Sequence, residues 1–150
     1  MKAVIQRCKN ARLIIDNKEY SSIGKGLFIL LGITHDDQNI DIEWLSGKIS
    51  RLRIFNDEKG KMNLSVKDIE GEILVVSQFT LFASTRKGNR PSYINSAPPE
   101  IAIPLYEKFI KQIEIDSELK VATGKFGAYM EIDFVNDGPV TIIMDSKNKE

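Results

Sequence analysis

Three polar side chains interrupt an apolar run in the middle of the chain, and their types and spacing indicate chemistry. The run Glu72–Phe82 begins with residues typical of a buried strand, and Ser77, Gln78 and Thr80 then enter it. Because neighbouring side chains of an extended strand point to opposite faces, Ser77 and Thr80 converge only if the strand ends or kinks near Gln78. A kink would also free backbone N–H groups to stabilise an oxyanion. Alternatively, Ser77 and Thr80 simply cap a turn at the strand end.

A basic segment follows this run. Residues 83–99 are polar, contain three prolines and include Arg86, Lys87 and Arg90. A loop of this length in a compact domain is usually functional or disordered. Two interpretations stay open, which are contact with the phosphates of RNA and a solvated, mobile loop.

Other catalytic or cofactor chemistry finds little support in the sequence. One cysteine (Cys8) and one histidine (His35) exclude a Cys/His metal cluster. His35 precedes a predicted helix, so a capping or surface role is favoured over that of a general base. The glycines near Lys25 and Lys125 have the spacing of neither a dinucleotide-binding nor a Walker loop. The sequence therefore predicts no metal and no cofactor.

Length and composition are those of a cytoplasmic protein with a single domain over residues 1–150, in which the charged tail from about Ser146 is expected to be frayed. The 21 basic residues balance 21 acidic ones, which argues against a general nucleic-acid coat. A lone cysteine fits a reducing compartment. Arg7 comes too early for a signal-peptide core, and no apolar run approaches the ~20 residues that span a bilayer. We therefore expect no contact with a membrane.

Apolar patterns predict the elements that position the polar cluster. Two helices are expected, one from the capping residues 35–39 to about Leu52 and one from residues 98–100 to about Glu114, regular only from Pro104. A turn at residues 136–139 is expected to separate the last two strands. The predicted strands are 1–7, 11–15, 27–33, 61–65, 72–77, 121–123, 128–135 and 140–144. The strand 11–15 is expected to begin a β-hairpin that ends at Ile23. These elements predict an α/β (α+β) protein with a mostly antiparallel or mixed sheet around two main helices.

Two motifs give the sequence a resemblance to a known family. The segments Ser77-Gln-Phe-Thr-Leu81 and Asn136-Asp-Gly-Pro-Val-Thr141 resemble those of D-aminoacyl-tRNA deacylases. Together they are specific, whereas either alone is weak. The resemblance covers nearly the whole chain, through the further segments Met1–Arg7, Arg53–Phe55, Lys61–Ser65, Arg86–Gly88, Ala97–Pro99, Ala122–Ala128 and Asp145–Ser146.

The resemblance implies an enzyme that hydrolyses the ester between a D-amino acid, or glycine, and the 3′ end of tRNA. Members of the family are homodimers with active sites at the subunit interface, and their sheet curls around the helices. By position, Ser77, Gln78, Phe79 and Thr80 line one pocket. Gly138 and Pro139 of the other subunit reach into it, joined by a cis bond, and their carbonyls select the substrate's handedness. Arg7 and Met130 are implied as supports near the pocket.

The chemical step allows two versions. Thr80 attacks the ester directly, or the terminal ribose 2′-OH of the tRNA orients or activates water while the Phe79 N–H binds the oxyanion. An unassisted hydroxyl is a poor nucleophile near neutral pH, which favours the second version. Two other functions remain open: an RNA-binding module without catalysis, and a small-molecule esterase or amidase that uses Thr80.

Overall fold

The chain folds into a mixed sheet with two helices packed against it. The computed structural model describes residues 1–149, which form a curled sheet of six strands, a two-stranded hairpin and two helices. The α+β class and the two helices are as predicted. The strands are β1 Lys2–Ile15, β2 Lys18–Ile23, β3 Gly26–Gly32, β4 Phe55–Asn56, β5 Met62–Leu64, β6 Glu72–Ser77, β7 Val121–Thr123 and β8 Glu131–Asp145; the helices are α1 Asn39–Ser50 and α2 Pro99–Ser117.

The sheet is mixed, with parallel pairing from β3 to the edge strand β7 and antiparallel pairing around β1. Strand β6 runs parallel to β3 on one side and to β7 on the other, while β1 pairs antiparallel with β2, β3 and β8. Parallel neighbours need crossover connections, and α1 and α2 lie in the two that lead into β6 and β7. At the start of the pairing with β6, a Cβ on Gly26 would lie 1.8 Å from the carbonyl oxygen of Glu72, so only glycine fits there.

Two apolar cores lie on opposite faces of this sheet. One face packs against both helices, through residues such as Ile29 and Val75 of the sheet and Phe109 of α2. The other face carries Phe28, whose ring centroid lies 4.8 Å from that of Phe134 on β8. Because both faces of the sheet are covered here, β3 and β6 are nearly continuous apolar runs rather than alternating ones, and Glu72 at the start of β6 is the exposed exception.

Both helices differ from their predicted ends. Helix α1 stops at Ser50 instead of Leu52. Helix α2 already begins at Pro99 and continues to Ser117, so the expected irregularity before Pro104 is wrong. Pro104 lies exposed on the helix surface. Water can therefore hydrate the carbonyl that loses its donor there, which makes the proline tolerable.

The strand pattern also needs two corrections. Residues 1–7 and 11–15, predicted as separate strands, belong to the single strand β1. The turn expected at residues 136–139 lies inside the single strand β8. Gln6 pairs with Thr141 and Cys8 pairs with Asn136, so residues 137–140 lie opposite Arg7 alone. The turn-forming residues thus make a bulge within a continuous strand.

The tail expected to fray from Ser146 is anchored at its start. Ser146 is buried, and its N–H donates to the Met1 carbonyl oxygen at 2.9 Å. The Lys147 ammonium donates to the Asp41 carboxylate at 2.9 Å. The expected fraying is therefore wrong at these two residues.

No helix among the described residues is both long and apolar enough to cross a membrane.

Candidate active site

The central polar cluster lies where β6 ends. Ser77 is the last residue of the strand and pairs with Leu31 of β3. Gln78 donates its backbone N–H to the Leu31 carbonyl at 2.7 Å, and a short 3₁₀ helix then runs over Phe79–Phe82. The chain therefore turns out of the sheet at Gln78, which confirms the predicted strand end.

The turn brings the polar side chains together. The Gln78 side-chain amide donates a hydrogen bond to the Thr80 hydroxyl oxygen, with 2.5 Å between Nε2 and Oγ1. Ser77, Gln78 and Phe79 line a pocket of about 20 Å3, to which Ala97, Ala102 and Phe126 contribute apolar walls. Such a volume admits about one water molecule. One protomer alone therefore offers a cleft with its polar groups in place but without room for a nucleoside.

Two backbone N–H groups at this turn are available to a ligand. Within residues 1–149, the N–H groups of Phe79 and Thr80 have no hydrogen-bond acceptor. They follow directly after the last N–H that bonds to β3. Such donors can stabilise the negative charge that develops on an ester carbonyl oxygen.

The surroundings of Thr80 do not make it a strong nucleophile. A hydroxyl is activated by a neighbouring base that accepts its proton. The partner of Thr80 is the Gln78 amide, which donates to the hydroxyl oxygen and cannot take a proton from it. The histidine lies elsewhere, with its Nε2 3.0 Å from the Ile94 carbonyl oxygen, in agreement with the predicted surface role.

Arg7 supports the bulge that contains Gly138 and Pro139. The buried guanidinium donates to the Asp137 carbonyl oxygen at 3.0 Å and to the Ile54 carbonyl oxygen at 2.6 Å. It also lies 3.3 Å from the Asp137 carboxylate. Gly138 has a φ of 132°, a conformation suited to glycine, and its bond to Pro139 is cis, in agreement with the resemblance. Arg7 thus ties the bulge in β8 to the segment just before β4.

The bulge and Met130 lie apart from the pocket of their own chain. Gly138 and Pro139 are exposed and do not line the cleft at Ser77. Met130 packs in the second core, where its sulfur would lie 2.7 Å from a Cβ placed on Gly124. Within a single protomer, Gly138, Pro139 and Met130 therefore do not line the same pocket as Ser77, Gln78 and Phe79.

The basic loop is exposed and open at its tip. Arg86, Lys87 and Arg90 are all exposed, and none pairs with a carboxylate within the described part of the chain. Ser84 and Ser92 exchange two backbone hydrogen bonds across the base of the tip, at 2.8 and 2.9 Å. The three cations are therefore free to contact phosphates.

Some residues around the cleft carried no signal in the sequence. Phe126 lies in a segment that resembles a simple glycine turn, yet it forms one wall of the cleft. Tyr93 lies in the polar loop, yet its ring packs against Phe79 with 4.9 Å between centroids. Only the three-dimensional arrangement reveals these contacts. Among residues 1–149, no three His, Cys, Asp or Glu side chains form a group that could hold a metal ion.

Comparisons with known proteins agree over the full length of the chain. A family model described as D-Tyr-tRNA(Tyr) deacylase matches residues 4–145. Proteins from Cytophaga hutchinsonii and Flavobacterium psychrophilum, both named D-aminoacyl-tRNA deacylase, are each 61% identical over 150 residues, which is 100% of both chains.

Two solved structures share the fold. One, titled c-Myc DNA Unwinding Element Binding Protein, superposes with a TM-score of 0.90 at 43% identity and covers 97% of this chain and 98% of its own. The other is titled as a probable eukaryotic D-amino acid tRNA deacylase. Its TM-score is 0.82 at 17% identity, with 95% of this chain and 97% of its own covered, and at that identity the likeness concerns the fold alone.

Proposed function

The chain belongs to the D-Tyr-tRNA(Tyr) deacylase family of hydrolases, and we propose that it hydrolyses the ester between a D-amino acid and the 3′-terminal adenosine of tRNA. Water adds to the ester carbonyl carbon, and the bond from that carbon to the ribose oxygen breaks. The products are the free D-amino acid and tRNA with its terminal hydroxyl restored. We extend the proposal to glycyl-tRNA, since glycine has no side chain to be rejected.

The observation that carries this proposal is the turn at residues 77–80. It combines an exposed cleft with two unused backbone donors, and it offers the threonine hydroxyl no base. Such a site suits a reaction in which a functional group of the substrate itself takes part in catalysis. In our mechanism the ribose 2′-OH orients or activates the attacking water, and the Phe79 N–H binds the oxyanion. Ser77 and Gln78 hold the adenosine or the substrate amine.

Selection of handedness is assigned to the bulge around Gly138 and Pro139 of a second subunit. Carbonyl groups that face the substrate α-carbon leave room for hydrogen on one side and collide with a side chain there. This excludes L-amino acids whatever their side chain and lets glycine pass. The Arg7 guanidinium supports the required rigidity, because it donates to the Asp137 carbonyl oxygen next to Gly138 and is itself anchored to the Ile54 carbonyl oxygen.

A homodimer would complete the site. The cleft of one protomer is too small for a nucleoside, and Gly138 and Pro139 of the same chain do not line it, so we assign the missing walls to a second copy. Among residues 1–149, strand β8 pairs only with β1, and it exposes apolar residues on both faces of the sheet, Val135 at 47% and Ile143 at 74% exposure. We propose that a second copy packs on β8 and brings its own Pro139 to the cleft. Sedimentation should then give twice the mass of one chain.

RNA contact is assigned to the basic loop. Its Arg86, Lys87 and Arg90 lie on the segment that leaves the cleft after Phe82. Since the protein has no net charge, a local patch has to supply the attraction for phosphates.

The proposal is tested by release of amino acid from three substrates. The protein should release the amino acid from D-aminoacyl-tRNA and leave the matched L-aminoacyl-tRNA and a small amino acid ester intact. Hydrolysis of the small ester alone would favour an esterase that uses Thr80. Binding of all tRNAs without release would favour a non-catalytic RNA-binding module.

Thr80→Ala distinguishes the two versions of the chemical step. Substantial residual turnover is expected, because the hydroxyl does not attack in our mechanism. Near-complete loss with intact tRNA binding would instead identify Thr80 as the nucleophile. A D-aminoacyl-tRNA that ends in 2′-deoxyadenosine gives the complementary result, since removal of the 2′-OH should abolish turnover by the unaltered protein.

A further inference from the structure

Tyr93 connects the basic loop to the catalytic turn. Its ring meets that of Phe79 edge to face, with centroids 4.9 Å apart and an angle of 74° between the planes. Phe79 is 55% exposed, and Tyr93 is 41% exposed. The Tyr93 ring therefore packs against a residue that lines the cleft but is otherwise more than half exposed.

The main chain next to Tyr93 is tied to the end of β3. The Thr34 hydroxyl donates to the Asn95 carbonyl oxygen at 2.6 Å, and the His35 Nε2 lies 3.0 Å from the Ile94 carbonyl oxygen. The Ala97 N–H donates to the Ile33 carbonyl oxygen at 2.9 Å.

These bonds fix the end of the loop that follows Tyr93, while the Ser84–Ser92 pair fixes the residue before it. Tyr93 is thus held on both sides, although it belongs to a long loop.

We propose that Tyr93 is a positioning residue that holds Phe79, and with it the Phe79 N–H, in the orientation that receives the oxyanion. This inference rests on the proposed function, because it assigns Tyr93 to the same reaction. The 3₁₀ helix has only four residues, so its own hydrogen bonds restrain Phe79 weakly. Small misplacements of a catalytic group reduce turnover strongly, so a ring that restrains Phe79 acts on the chemical step.

The expected effect follows from the strength of an aromatic pair. Loss of an edge-to-face contact, when all of it is used to hold the reactive orientation, corresponds to about a 3- to 10-fold fall in kcat. The phosphate-binding tip of the loop is unaffected, so KM for D-aminoacyl-tRNA should stay constant. A residue with a purely structural role would instead change thermal stability and both constants together.

The test compares Tyr93→Leu, Tyr93→Phe and the control Ile94→Ala in the full chain. Tyr93→Leu keeps apolar volume but loses the ring, and it should lower kcat 3- to 10-fold. Tyr93→Phe keeps the ring and should retain the unaltered kcat. Ile94 is 77% exposed, so its replacement should change nothing. In nitrogen-15 NMR spectra of the free protein, the Phe79 N–H signal should shift and broaden only in Tyr93→Leu.

Two kinetic results would overturn the inference. One is an unchanged kcat in Tyr93→Leu. The other is a raised KM with unchanged kcat, which would make Tyr93 a contact for RNA. If the unaltered protein releases no amino acid from D-aminoacyl-tRNA, the proposed function fails separately. The NMR comparison then decides the inference, since an unmoved and equally sharp Phe79 signal would refute the support of Phe79 by Tyr93.

Discussion

Replacement of Arg7 by methionine tests the link between the bulge in β8 and selectivity. Methionine keeps much of the buried stem but removes the two hydrogen bonds to the Ile54 and Asp137 carbonyl oxygens. A hydrogen bond from a charged donor contributes about 1.5–3 kcal/mol. The Asp137 side chain is 28% exposed and can be hydrated after the loss, so its ion pair adds little.

We therefore expect Arg7→Met to lower the free energy of unfolding by about 3 kcal/mol, at the lower end for two such bonds. In a chain of this length that corresponds to a fall in Tm of about 6–12 °C. The functional consequence should be a higher ratio of L- to D-aminoacyl-tRNA hydrolysis, since the carbonyls next to Gly138 lose the group that fixes them.

Urea unfolding followed by the fluorescence of the single tryptophan measures the stability, and release of labelled amino acid from matched L and D substrates measures the ratio. Arg12→Met is the matched control. Arg12 lies on the same strand, but its pair with Asp133 is exposed, so this change should leave both measurements nearly unaltered. Equal effects of the two replacements, or a lower stability of Arg7→Met with an unchanged L/D ratio, would refute the reasoning.

Joint replacement of Arg86 and Lys87 by alanine should weaken tRNA binding and flatten its dependence on salt, because fewer phosphate contacts release fewer counterions. Filter binding over a salt series measures this slope, and an unchanged slope would show that the loop does not contact the tRNA. Burial raises the pKa of the Cys8 thiol to about 11, so iodoacetamide near neutral pH should label only the unfolded protein, whereas rapid labelling of the native protein would contradict that burial. Burial also acts to raise the pKa of Asp41, but hydrogen bonds, including one from Lys147, outweigh it and hold the pKa below the ordinary 3.8. The ionised carboxylate therefore stabilises the fold above that value, and the contribution is lost as the pH falls through the folded-state pKa. Asp41→Asn should lower the urea midpoint at pH 7 but not in strongly acidic buffer, and an equal loss at both pH values would contradict this assignment.

The turn at residues 77–80 could be predicted because its signal is local. Hydroxyl and amide groups inside an apolar run force the chain out of the sheet, and the structure has the strand end at Ser77. The two helices were equally accessible, since apolar residues at helical spacing need only a neighbouring surface to pack against. The ends of the helices were harder to predict. The start of α2, for example, depends on whether Pro104 is exposed to solvent, since only then is the proline tolerated within the helix.

The bulge at residues 137–140 could not be predicted from local pattern. Asn136-Asp-Gly-Pro139 is typical of a turn, and its place within one strand depends on long-range contacts, namely the pairing with β1 and the hydrogen bond from Arg7. The local sequence does not determine that the Gly138–Pro139 bond is cis either, since only about 5–6% of the bonds that precede proline are cis in folded proteins. The support of Phe79 by Tyr93 depends on contacts between distant segments, which periodicity does not encode.

A crystal structure with a non-hydrolysable amide analogue of D-aminoacyl-adenosine tests the central claim most directly. The account predicts a dimer in which the analogue's carbonyl oxygen accepts a hydrogen bond from the Phe79 N–H. Its α-hydrogen should point at main-chain carbonyls next to the second subunit's Pro139. A lone protomer, or an analogue whose α-carbon is surrounded by side chains far from any Pro139, would contradict the account.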